Sequence, residues 1–385
     1  MRIAFIADPE FATRERPLLA RLAVGLLDEI APPVIIEPAS AEPRPHSGPI
    51  QHVVWEDRGF TLTLNLRIER ITSALQRRKL TPDIVHALGT DAWQPAIRLA
   101  RRTHAALLLE VESQSALARV HTADRAIAAI ANPLTTDPAA TNQDSPIPAA
   151  AFIASDPALE PPLQQHAKHL PVHLAPWGVH RAPRPGSAER PATTTDRPTA
   201  VCLIPAPGSP PPLPTLTALA DIAHLTPLHL FIDEAAAAGS RGRLWNTLEN
   251  LGLSSSADIV PNLEENRELT LRCDILALPG PAARARSIVL DAMAARLAVV
   301  ADPDHLVEPL ARSDLYRPAA PRDIDAWRQA LQNAIEADPA ADPRREAAAR
   351  YADEQRRPSA HITALLSTYN ALTAPKALAF KQAAG

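Results

Sequence analysis

Residues 273–301 read CDILALPGPAARARSIVLDAMAARLAVVA, and this stretch decides the fold. An apolar run, residues 274–278, is followed by a loop of Pro, Gly, Ala and Arg. A segment of helical period then covers residues 287–295, and a second apolar run covers 298–301. Short apolar runs alternating with helical segments are the sign of an α/β chain built on a parallel sheet.

The same rhythm extends outward in both directions. Upstream, residues 200–204, 228–232 and 258–260 read as strands and 241–251 as a helix; downstream, 325–337, 344–355 and 362–372 read as helices. An earlier half repeats the pattern, with strands expected at 2–7, 34–37, 52–56, 83–89, 105–111, 150–155 and 172–175. Helices are expected there at 17–30, 66–78, 93–102 and 159–169. Between the halves, residues 181–199 (RAPRPGSAERPATTTDRPT) carry almost no large apolar side chain, so they read as a linker. The organisation expected is an N-terminal domain at 1–180, the linker, a second domain at 200–357, and a C-terminal helix and tail at 358–385.

Composition narrows the function. The chain has 385 residues, 39 basic against 43 acidic, for a formal charge of −4, which gives no electrostatic reason for nucleic acid as a partner. Aromatics make up only 4%, so two domain cores must be filled by Leu, Ile, Val and Ala. The 41 prolines punctuate element borders rather than forming one run. Cys202 and Cys273 form no Cys-x-x-Cys pair and read as reduced core thiols in a reducing cytoplasm. No export signal and no transmembrane segment is evident, so a cytoplasmic location is expected. Thirteen histidines invite a metal reading, but His166 and His169 have no third ligand nearby in sequence. Gly-x-Ser-x-Gly, Walker and Gly-x-Gly-x-x-Gly signatures are missing.

The ordered series of short motifs resembles the GT-B glycosyltransferases, specifically the retaining group called family 4. Asp83-Ile84-Val85-His86 is similar to that family's strand ending in histidine, and Phe152-Ile153-Ala154-Ser155 to its strand ending in serine. Ala175-Pro176-Trp177-Gly178-Val179 resembles the turn that closes its first domain. Glu268-Leu269, Cys273 to Pro279, Leu290 to Ala294 and Leu297 to Ala301 match its later segments in order. The resemblance implies an α/β protein of two Rossmann-like domains with the active site in the cleft between them. It implies a nucleotide-sugar donor as substrate, a glycan, lipid or small-molecule acceptor, retention of configuration, and no metal or other cofactor.

The family's donor set is largely replaced here. Its Arg and Lys fall near Ala206 and Pro211. Its two glutamates, with seven residues between them, fall on Ala283 and Asp291, and the intervening glycines become Arg284 and Arg286. Where a Gly-Gly turn is expected after the first strand stands Asp8-Pro9-Glu10-Phe11-Ala12, and Glu112 stands where the family has a histidine. The donor side is therefore assigned to Gly280, Arg284, Arg286, Ser287 and Asp291, with Asp291 on the ribose and the two arginines with Ser287 on the diphosphate. His86 and Glu112 are assigned to catalysis on the acceptor side. Glu110 and Glu112 alternate about Val111 and are expected to share a face. Two alternatives stay open: His86 as a packed strand-end histidine, and the whole chain as a catalytically inactive glycosyltransferase-like binding or partner module.

Overall fold

The computed structural model describes residues 1–38, 49–55, 63–131, 146–179, 197–206, 212–234, 241–280 and 287–374. Two fully parallel sheets organise them. The first contains β1 (Ile3–Ala7), β2 (Val34–Pro38), β3 (Gln51–Trp55), β4 (Ile84–Leu88), β5 (Ala106–Val111), β6 (Ala150–Ala154) and β7 (Val172–Leu174), in the order β3-β2-β1-β4-β5-β6-β7. Between and around its strands lie α1 (Pro9–Arg14), α2 (Arg16–Gly25), α3 (Leu64–Arg77), α4 (Trp93–Thr103), α5 (Gln114–Ala131) and α6 (Glu160–His166).

The second sheet contains β8 (Thr199–Leu203), β9 (Leu228–Asp233), β10 (Ala257–Val260), β11 (Ile275–Leu278), β12 (Ala298–Ala301) and β13 (Arg317–Pro318), in the order β10-β9-β8-β11-β12-β13. Its helices are α7 (Leu213–Ala223), α8 (Arg241–Asn250), α9 (Arg267–Thr270), α10 (Ser287–Ala294), α11 (Glu308–Ala311), α12 (Ile324–Glu336) and α13 (Pro343–Gln355). A last helix, α14 (Pro358–Thr373), follows. In both sheets the order reverses about the first strand, and a doubly wound sheet opens a ligand crevice at the carboxyl ends of the strands at such a switch point.

Parallel strands covered on both faces are predominantly apolar. All five residues of β4 and all four of β11 and of β12 are buried accordingly. After β1, a helix cap stands where the resemblance implies a Gly-Gly turn. Asp8 caps α1, its Oδ1 accepting from the Phe11 N–H at 2.7 Å, and Pro9 opens the helix. Its carboxylate lies where a side chain at Gly89 would stand, 2.1 Å from an ideal Cβ, and Gly89 has φ +85°. Only glycine fits there.

The structure also departs from the sequence reading. The helix expected over 17–30 ends at Gly25, and α1, α5, α7, α9, α11 and the two-residue β13 were not anticipated. Most of the expected linker lies outside the described residues, and Thr199, its last member, opens β8. Among the described residues, no helix is long and apolar enough to cross a membrane. Cys202 and Cys273 are both buried and free.

One apolar core runs through both halves, joining Phe11, Leu18 and Trp177 to Leu263, Met293 and Tyr351, while separate clusters fill the remaining faces of the two sheets. Whereas α13 packs on α10, α14 returns to the first half against α2 and β5. The two sheets are thereby tied together at their seam, and the seam positions the site.

Candidate functional site between the two sheets

Helix α10 brings Ser287 and Asp291 to the seam. They are four residues apart on α10, so they share one face. Ser287 is at the helix N-terminus, where backbone N–H groups have no helical acceptor and attract anions. That position is already taken by the carboxylate of Glu15, from the junction of α1 and α2. Glu15 Oε1 accepts from the Ser287 N–H at 3.2 Å, and Ser287 Oγ donates to Glu15 Oε2.

Arg267, the first residue of α9, completes the cluster. Its Nη2 donates to Glu15 Oε2 at 3.0 Å and to Ser287 Oγ at 2.6 Å, while Nη1 binds Asp291. Arg21 of α2 reaches Asp291 from the other side at 3.3 Å. Farther along the seam, Arg14 pairs with Glu264 at 2.8 Å and Arg16 pairs with Glu265. Burial raises the Glu15 carboxyl above the ordinary glutamate range, against the pull of Arg267. For Arg267, burial opposes the charge, but Asp291 and Glu15 outweigh it and hold the guanidinium above its usual value.

Gly280 sits apart from this cluster, at the end of β11. It has φ +92°, and its N–H donates to Asp302 Oδ2 at 2.7 Å. Asp302 follows β12 and is buried; its other oxygen, Oδ1, has no hydrogen-bond partner among the described residues. Burial raises its pKa from 3.8 to about 6, the Gly280 hydrogen bond working the other way. Because the folded-state value exceeds the unfolded one, the folded protein holds the extra proton between about pH 4 and 6. Stability from this group is therefore lost as pH rises through that window. Asp302→Asn should gain stability relative to the native protein on going from pH 4 to pH 7, read as the difference in urea midpoints. A difference that stays constant across that range would refute the assignment.

Glu112 follows β5 directly. It is buried and lines a cavity of about 490 Å³ with Ser113 and Ser115 from the first half and Asp304 and His305 from the second. Burial raises the Asp304 carboxyl, with the Leu306 N–H opposing. The cavity's lining includes none of Gly280, Ser287 or Asp291. Glu110 and Glu112 lie in different surroundings, because β5 ends at Val111 and the two-residue period ends with it. Glu110 instead joins His86. The His86 ring is fully buried, with Nδ1 at 2.8 Å from the Tyr369 hydroxyl of α14 and Nε2 at 3.3 Å from Glu110 Oε2; Trp177 Nε1 donates to Glu110 Oε1. In this conformation His86 has no surface that a substrate could touch, and it is a packed histidine in the middle of β4 rather than at the strand end expected.

Arg284 and Arg286 lie outside the described residues. Among the described residues, no group of three or more His, Cys, Asp or Glu side chains is arranged to hold a metal ion.

No protein-family model matches the sequence, and no curated protein does so either. Solved structures do match. Sucrose-phosphate synthase from Thermosynechococcus elongatus superposes with a TM-score of 0.72 at 15% identity, covering 97% of this chain and 99% of that one. Anabaena HepE, solved with UDP and glucose, gives 0.68 at 14% identity over 97% of this chain and 100% of that one. WaaG, a glycosyltransferase involved in lipopolysaccharide biosynthesis, gives 0.63 at 14% over the same shares. The chain has the GT-B fold.

Glu15, Arg267, Ser287 and Asp291 meet at the seam between the two sheets of this fold. The family resemblance names Ser287 and Asp291 but not Glu15 or Arg267, which meet them here. The one local signal for Arg267 was its place directly before Glu268-Leu269; nothing local marked Glu15.

Proposed function

We propose that the protein is a glycosyltransferase that uses a nucleotide-sugar donor in its GT-B cleft. The observation that carries this reading is the gathering of Ser287 and Asp291, with the buried Arg267, at one helix N-terminus between the domains. In the reading, Ser287 and the α10 N-terminus hold the donor diphosphate and Asp291 the ribose. Side chains and the helix dipole neutralise the charge that grows on the leaving group, without a metal. Gly280 lets the backbone after β11 approach the donor, and Arg284 and Arg286 remain candidates for the same diphosphate. The acceptor, a glycan, lipid or small molecule, enters at the cavity of Glu112. Glu112 meets the acceptor hydroxyl there, and retention of configuration follows the family resemblance. The solved complex of HepE with UDP and glucose supports a nucleotide-sugar ligand for this fold.

A second reading, a catalytically inactive binding or partner module, is favoured by the occupation of the Ser287 seat by the chain's own carboxylate. The two separate in a panel of UDP-, GDP-, ADP- and dTDP-sugars. Transfer predicts release of the nucleoside diphosphate from at least one donor at a rate above that without protein. Binding with no release from any donor would favour the inactive module.

A further inference from the structure

We propose that Arg267 is the cation of the donor-diphosphate seat and that Glu15 is its resting counter-ion, a carboxylate that an incoming phosphate group displaces. This rests on the nucleotide-donor reading and deepens it. The cations expected after β8 are missing, since Ala206 and Pro211 stand there. Arg267 brings a guanidinium to the seat from α9, far from that loop in sequence, and a planar guanidinium suits two-point contact with phosphate oxygens.

Glu15 makes the contacts that a phosphate would take over: the Ser287 N–H, the Ser287 hydroxyl and Arg267 Nη2. Charge also demands exchange rather than addition. Arg14, Arg16, Arg21 and Arg267 face Glu264, Glu265, Asp291 and Glu15, an even balance across the seam. A diphosphate entering this set would be repelled unless a carboxylate left. Glu264, Glu265 and Asp291 keep Arg14, Arg16 and Arg21 as partners. Glu15 is the member that comes from the opposite domain and sits on the helix N-terminus itself. Its buried carboxyl, pushed upward by desolvation, is costly to keep charged. With Glu15 withdrawn, the seat carries an excess positive charge and a free N–H.

Calorimetric titration of the full chain with inorganic pyrophosphate and, separately, with UDP tests the exchange. Glu15→Gln should bind pyrophosphate about tenfold or more tightly than the native protein, a gain of about 1.4 kcal/mol. Adding Arg267→Met to that variant should abolish the gain. Glu15→Asp, which keeps the charge but shortens its reach, should also bind more tightly and serves if the Gln variant does not fold. Unchanged pyrophosphate affinity in the folded variants overturns the proposal. Tighter pyrophosphate binding with no UDP binding in any variant upholds the exchange and removes the nucleotide reading. UDP binding of equal strength in native and variant proteins upholds that reading and overturns the exchange.

Discussion

Arg356→Met is expected to lower stability by about 3–5 kcal/mol, the range found when one partner of a buried ion pair is removed. Arg356 follows α13 and is buried. Its Nη2 binds Asp156 at 2.8 Å and Glu308 at 3.1 Å, and its Nε binds the Tyr351 hydroxyl at 2.7 Å. Asp156 belongs to the first half, after β6, and Glu308 to the second; the Glu308 N–H donates to Asp156 Oδ1 at 3.0 Å. The Arg356 carbonyl accepts from the Val179 N–H at 2.7 Å, so the residue pins the end of the first half as well. Methionine fills a similar volume but leaves a buried carboxylate and a phenol without their cation. The urea midpoint should fall accordingly. Adding Asp156→Asn should restore part of the loss, because the uncompensated buried charge is the main cost. A midpoint unchanged in Arg356→Met would mean that the pair contributes nothing at the seam.

Gly178→Ala is expected to cost about 3 kcal/mol through overpacking. A Cβ at Gly178 would lie 2.6 Å from Pro358 Cα, 2.7 Å from the Arg357 carbonyl oxygen and 2.8 Å from Pro358 N. All three atoms are backbone, so no side-chain rotation relieves the contact. The segment that must yield is the junction between α13 and α14, and α14 carries the Tyr369 hydroxyl that meets His86. The variant should therefore show faster amide exchange along α14 and faster proteolysis at that junction than the native protein, with α12 exchange unchanged. Native-like exchange along α14 would show that the backbone accommodates the methyl group.

The strands were legible because parallel strands covered on both sides are built mostly of apolar residues. Ile275 to Leu278 is such a run, and so is Ile84 to Leu88 apart from His86. By contrast, α5 was not seen, since its buried face is built from Ala116, Leu117, Val120, Ala123 and Ile127 within a run of small and polar residues. The helix α7 follows a proline-rich loop, and Pro214 inside it reads as a breaker until it is placed in the first turn, where its missing N–H costs nothing. Of the cluster, Ser287 and Asp291 were named through the family resemblance, Asp291 at its second glutamate position and Ser287 beside the arginines of the intervening turn. Glu15 and Arg267 meet across 252 residues, and no local pattern encodes such a pair. His86 was visible as a chemical residue expected at a strand end, but it lies in the middle of β4 and packs against Tyr369 of α14, 283 residues away.

The measurement that bears most directly on the account is amide exchange along α10, followed in the full chain while the nucleotide-sugar panel is titrated. The account predicts slowed exchange from Ser287 to Asp291 with at least one donor, with no change along α12 on the far face of the second sheet. Exchange along α10 that no donor alters, at concentrations that saturate ordinary glycosyltransferases, would contradict a donor seat at this helix.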